Sequence, residues 1–220
     1  MIEWTILWEA RDTILSGLWL TIWLFLVSIA GAFVLGCLVL YGLERGGVLA
    51  WLLRAFVNAM RALPFLVLAY LLYYGLPQLG LRMNAVTAGL VAMIVYHGAY
   101  LAEILRGSRM VLPPGTIEAA QAHGLMPRTI FTHIILPQLL LRTRPLIGNQ
   151  LIYAIKDTSF LAIITVQELT AAANAVQASY FIPMPAFVVV ILLYWAINVC
   201  IELAVSKAGI FGAKRGFENV

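Results

Sequence analysis

The sequence predicts an all-α fold: a polytopic bundle of membrane-crossing helices. Three observations lead there. Of the 220 residues, 63% are hydrophobic and 11% charged, with a mean hydropathy of +0.95, whereas a soluble domain carries about a quarter charged residues. The apolar residues gather into long, charge-poor stretches, each close to the roughly 20 residues a helix needs to cross a bilayer. One long polar interruption, Glu118 to Pro137, stands alone among them. The whole of residues 1–220 fits a single transmembrane domain.

Residues 1–12 are mixed, with Trp4 and Trp8 suited to a membrane interface. No basic region precedes the first apolar run, so the first span is expected to be retained rather than cleaved. That span covers about 13–41; it is uncharged and holds Gly17, Gly31 and Gly36, which favour close helix packing. After the polar turn Glu44–Gly47, residues 48–61 read as an amphipathic approach with Arg54 and Arg61. The second span is predicted over about 56–76, with Pro64 either kinking it or marking its true start. Tyr73 and Tyr74 close it at the far interface. The third span covers about 84–109, the fourth 136–156 and the fifth 185–205.

Between the third and fourth spans lies a polar hairpin, 113–135. Pro113, Pro114 and Gly115 break the preceding helix, and Thr116 is expected to cap the next. Glu118 is placed in its first turn, where the helix dipole favours a carboxylate. Ala119, Ala120 and Ala122 form helix with little bulk. Gly124 is expected to end that helix in the left-handed conformation, and Pro127 to open a second one. Pro137 falls where the next span should begin.

Five spans put the two ends on opposite sides. With the hairpin inside, Arg45, Arg54, Arg61, Arg106, Arg109, Arg128, Arg142, Arg144, Lys207, Lys214 and Arg215 are cytoplasmic, and only Arg11 and Arg82 are outside. The positive-inside rule therefore places the N-terminus outside and the C-terminus in the cytoplasm. The net charge of +4 reports this topology and gives no reason to expect nucleic-acid binding. Cys37 and Cys200 lie inside apolar segments and suggest neither a disulfide nor a metal site.

The stretch EAAQAHGLMPRTIFTHIILP, Glu118 to Pro137, spaces Glu-Ala-Ala, Gly124, Ile134 and Leu136-Pro137 in a pattern that chance produces on the order of once in a million chains of this length. It resembles the EAA loop of ATP-binding-cassette importer permeases. Residues 13–206 resemble, more narrowly, the polar amino acid branch, the histidine, glutamine and arginine permeases. SGLWLTIWLFLVSIAGAFVLG resembles the branch's first span, RALPFLVLAYLLYYGLP its second, and YHGAYLAEILRGSRMVLPPG the approach to the loop. Ala62 and Leu63 replace the usual Gly and Thr, and Tyr96 and His97 stand where many members carry Asn and Ser.

The resemblance implies a type I importer permease fold and a bacterial inner-membrane location. It implies a second permease subunit, identical or paralogous, two ATPase subunits and an extracytoplasmic amino acid-binding protein. ATP and magnesium would be bound by the ATPase chains, with no cofactor on this one. It implies that Glu118, Ala119, Ala120, Gly124 and Pro127 belong to the coupling helices that dock on the ATPase.

Ionisable groups inside membrane segments are costly and mark functional sites. Lys156 and Asp157 fit this best, within Lys156–Ser159, which the branch matches with a similar substrate-holding segment. Thr158 joins them. The plain alternative is a mutually neutralised pair at the end of a span. Glu103 could face the same cavity or pair with Arg106 one turn on. His97 could bond a substrate or serve as a packing residue. Thr21, Asn198 and Glu202 are explained by interhelical hydrogen bonds.

No phosphate-binding loop GxxxxGK[ST] and no catalytic or metal-ligand spacing occurs in the sequence. The expected function is the transmembrane subunit of an ATP-driven polar amino acid importer, and not an enzyme. Its rivals are a channel or secondary transporter without ATP coupling, and an intramembrane enzyme using Glu103 or Asp157.

Overall fold

Inside a bilayer backbone polar groups must be satisfied within the protein, which a helix does within one segment, and the chain is helical nearly throughout its described residues. The structure, a computed structural model, describes the backbone of residues 2–213 and the side chains of 3–208; Lys214 and Arg215 of the charge tally lie outside the described residues. A short helix α1 (Ile2–Glu9) leads into the long α2 (Arg11–Glu44) and then α3 (Gly47–Ala62). Next comes α4 (Phe65–Tyr70), prolonged by a π turn (Leu71–Gly75) and a 3-10 turn (Leu76–Leu79), and then α5 (Ala85–Met110). The hairpin holds α6 (Pro114–Ala122) and α7 (Pro127–Thr129), a π segment (Ile130–Ile135) and α8 (Leu136–Arg142). The chain then runs through α9 (Arg144–Asp157), a 3-10 segment (Thr158–Ile164), α10 (Leu169–Tyr180) and α11 (Pro183–Ala213). Among the described residues no strand occurs.

Among the described residues three helices are long and apolar enough to cross a membrane, and up to five crossings result if each of two bent pairs is one span. The first bent pair is the predicted second span. It breaks between Ala62 and Phe65, turning by 105°. Leu63 and Pro64 are extended there, because proline excludes its predecessor from the helical region. The fourth stretch divides at Thr143, where Arg142 and Arg144 flank the junction. Its candidate crossing is Arg144–Ile164 with Leu169–Tyr180, bent by 50°.

The α2–α5 pair is the spine. Small residues let the two backbones approach: a Cβ built on Gly36 would lie 3.2 Å from both the Gly98 oxygen and the Ala102 nitrogen. Against this pair packs a core of Leu24, Phe65, Leu68, Met93, Ile155 and Leu161. A second cluster joins α1, α2, α10 and α11 through Leu7, Ile14, Leu169 and Val176. A third seats the hairpin on the far ends of α2 and α5 through Leu40, Leu105, Ala120, Ile130, Phe131 and Leu139. There Arg109 pairs with Glu44, and Arg45 donates to the Tyr41 hydroxyl at 2.9 Å, so two ion and hydrogen-bond contacts brace the helix ends that carry the hairpin.

Two local expectations are corrected. Helix α6 starts at Pro114 with no side-chain cap, since the fixed φ of proline suits the first helical position. Thr116 therefore lies inside the helix and does not cap it, and Glu118 sits beyond the first turn.

Candidate functional site

Two sites emerge, one at the hairpin and one within the bundle. At the hairpin, Gly124 adopts φ 74°. Its N–H donates to the Gln121 carbonyl at 2.9 Å and the Leu125 N–H to the Ala120 carbonyl at 3.2 Å. This is the paired C-terminal lock of a Schellman motif. Pro127 opens α7 as its first residue. The π segment that follows carries the helix past Pro137, a wide turn of the kind that accommodates a missing backbone donor; the Gln138 side chain bonds the Ile134 carbonyl at 2.8 Å.

Glu118, Ala119, Ala122, Gly124 and Pro127 are exposed, and Met126 is 71% exposed. Ala120 is not part of this outer surface. It is buried against Ile130 and Phe131, so its small size serves the fit of α6 onto the bundle. Leu125 and Met126 join the outer surface in its place. The signal for them was two apolar residues between a glycine and a proline.

Inside the bundle, His97 of α5, Gln150 and Asp157 of α9 converge. The Gln150 amide lies 2.8 Å from His97 Nδ1. With the amide donating, neutral imidazole carries its proton on Nε2, which faces Asp157 Oδ2 at 3.5 Å. His97 is fully buried, whereas the Asp157 side chain is partly buried, 18% exposed. Thr158, also fully buried, bonds back to the Ile155 carbonyl at 2.6 Å. Aromatic rings surround the pair: Phe65 lies 6.0 Å from His97 and 6.4 Å from Phe160, and Tyr96 lies 5.4 Å from Phe65 (centroids).

Lys156 is exposed. Adjacent helical residues diverge by about 100°, and Asp157 takes the inward direction. Asp157 thus meets His97 and not its neighbour Lys156. Glu103 stands apart, six residues from His97 along α5, about 9 Å, and bonds both Arg106 and Arg61.

Sequence reasoning did not single out Glu168. Fully buried, it caps α10 by accepting from the N–H groups of Thr170 and Ala171 and from the Tyr194 hydroxyl. Thr21 accepts from the Leu169 N–H at 2.9 Å, an interhelical bond of the expected kind. The available signal was an acidic residue directly before the helix-forming run Leu169–Ala173, since carboxylates are preferred at that place.

A family model described as "Binding-protein-dependent transport system inner membrane component" matches residues 28–206. The chain is 30% identical to the probable glutamine ABC transporter permease protein GlnM of Bacillus subtilis, over 92% of this chain and 94% of that one. It is 31% identical to the glutamine transport system permease protein GlnP of Escherichia coli K12, over 93% and 95%. Its fold superposes on a chain of a crystal structure of an amino acid ABC transporter with histidines with a TM-score of 0.82 at 23% identity, covering 92% of this chain and 95% of that chain.

Proposed function

Because the chain belongs to the family of binding-protein-dependent transport system inner membrane components, we propose that it imports polar amino acids, glutamine-like solutes among them. It is the multi-pass, non-enzymatic permease subunit of an ABC importer, with ATP hydrolysed on separate chains. One observation carries the coupling assignment: the exposed hairpin α6–Gly124–α7, which presents Ala119, Ala122, Gly124 and Met126 outward and is anchored on the ends of α2 and α5. Closure of the ATPase pair around ATP and magnesium draws two such hairpins together. The bundle then rocks between outward- and inward-open states, a bistable element biased by a partner's binding energy. A second permease subunit completes the pathway, and an extracytoplasmic binding protein delivers the substrate. Purification of the assembled complex, with identification of its ATPase chain and co-bound solute, tests this; a complex that imports without any ATPase would overturn it.

Substrate contact is assigned to Asp157, Thr158 and His97, with Lys156, adjacent to Asp157 and exposed, as the candidate cation for the carboxylate; Glu103, paired with Arg61 and Arg106, stands outside this contact. A zwitterion needs an acceptor for its ammonium group, and Asp157 is a carboxylate inside the bundle with no lysine or arginine bound to it among the described ion pairs. Truncating one partner of such a buried contact costs about 2–5 kcal/mol. Asp157→Asn is therefore expected to lower uptake at limiting substrate by about thirtyfold or more, while the subunit still co-purifies with its ATPase. Lys156→Met is expected to reduce uptake as well; unchanged uptake and apparent affinity would make Lys156 an interface residue.

The arginine distribution orients the chain with its N-terminus outside and its C-terminus in the cytoplasm. A C-terminal reporter active only in the cytoplasm is expected to work, and one active only outside to fail. The reverse pair of results would invert the topology.

A further inference from the structure

The break between α3 and α4 leaves the last carbonyls of α3 without helical partners, and Pro64 brings no donor. Arg61, just before the break, is tied to α5 in three ways. Its guanidinium lies 3.2 Å from Glu103 Oε1. Its carbonyl accepts from the Tyr100 hydroxyl at 3.4 Å. Its charge sits 5.9 Å from the centre of the Tyr100 ring, within cation–π range. Glu103 is itself held by Arg106, which donates through Nε and Nη2 at 2.7 Å each, so the carboxylate is fixed before Arg61 reaches it. Immediately beyond the break, Phe65 opens α4, is buried, and packs on Tyr96 and His97.

We propose that Arg61 is a positioning residue for transport: bridged to Glu103, it holds the α3–α4 break against α5 and thereby sets where Phe65 stands beside His97 and Asp157. Glu103 then acts through Arg61 and does not touch the substrate. The proposal rests on the assignment of His97 and Asp157 to substrate contact. Its geometry is one of angle: a 105° turn converts a small slide of α3 into a displacement of Phe65, and a misplacement of about 1 Å in a binding site is enough to change function.

The test uses the assembled importer in proteoliposomes, with uptake measured against substrate concentration. Arg61→Gln is expected to raise the apparent KM by about three- to fivefold, the scale of one partly screened ion pair, with kcat changed by less than about twofold. Arg61→Lys, which keeps the charge, is expected to retain most of the affinity. The exchange Arg61→Glu with Glu103→Arg, made together with Arg106→Gln so that no second arginine crowds position 103, re-forms one bridge of reversed polarity between α3 and α5 and is expected to restore KM to within about twofold of the parent. Unchanged KM in Arg61→Gln overturns the proposal. So does an exchange variant no better than Glu103→Gln alone, the result required if Glu103 contacts substrate. Should Arg61→Gln fail to insert, the lysine and exchange variants decide on the same terms. Asp157→Asn with unaltered KM would instead remove the substrate-site assignment, whatever Arg61 does.

Discussion

Gly124→Val is expected to abolish ATP-driven uptake while the protein still inserts and folds. At φ 74° an L-residue is strained, by roughly 1–2 kcal/mol, and a β-branched side chain is disfavoured further. A Cβ built there meets nothing within 4 Å of this chain, so the bundle itself loses no packing. The strain falls on the lock at the end of α6, whose two closing bonds set the outward surface of Ala119, Ala122 and Met126 that is proposed to meet the ATPase. The added methyls also stand on the surface proposed to dock the ATPase. Uptake into vesicles, with co-purification of the ATPase chain as the control for docking, measures the effect. Gly124→Asn, whose side chain tolerates the left-handed region, is expected to keep substantial uptake. Valine at the parent rate would mean that the hairpin does not couple the two subunits.

Gly17→Val is expected to have the larger structural effect. A Cβ at Gly17 would lie 2.7 Å from Ala172 Cβ, 3.0 Å from the Glu168 oxygen and 3.1 Å from Leu169 Cα. These are a short side chain and two backbone atoms, and none can swing aside. Helices α2 and α10 must part, which strains the Thr21–Leu169 bond and the Glu168 cap beside it. Overpacking of this kind costs about 1–3 kcal/mol and more where backbones collide. The yield of monodisperse protein and its thermal midpoint in detergent are expected to fall sharply. Gly107→Ala is the matched control: its Cβ meets nothing, and alanine favours the helix by about 0.8–1 kcal/mol. Equal midpoints for the two variants would contradict the close α2–α10 contact.

Much of this was legible in the residues. Charge-poor stretches announce helices because a bilayer admits little else, and Gly17, Gly31 and Gly36 announce close approach. Pro64 announces the break, and Gly124 with Pro127 the hairpin. The convergence of side chains was not legible. His97 and Gln150 are 53 residues apart in sequence, and their meeting depends on how each helix is rotated about its axis. Neither α5 nor α9 carries a clean apolar stripe, since polar residues are spread around both, so no periodicity records that rotation. For the same reason Lys156 and Asp157 read as one site, although consecutive residues diverge and only Asp157 turns inward. Thr116 and Glu118 were misplaced by a shift of the helix start, since Pro114 nucleates the first turn ahead of any capping side chain.

The length of α2 has a mechanical consequence. Its 34 residues rise about 51 Å, against a hydrocarbon layer of about 30 Å, and it contains no proline. It is therefore a stiff lever that outreaches the bilayer, with the hairpin seated near one end and the Glu168 cap near the other. A tilt of about 10° around its midpoint moves each tip by about 4 Å in opposite senses. Work done on one side of the membrane thus arrives at the other as displacement along a rigid arm, without any requirement that the intervening contacts relay it one by one.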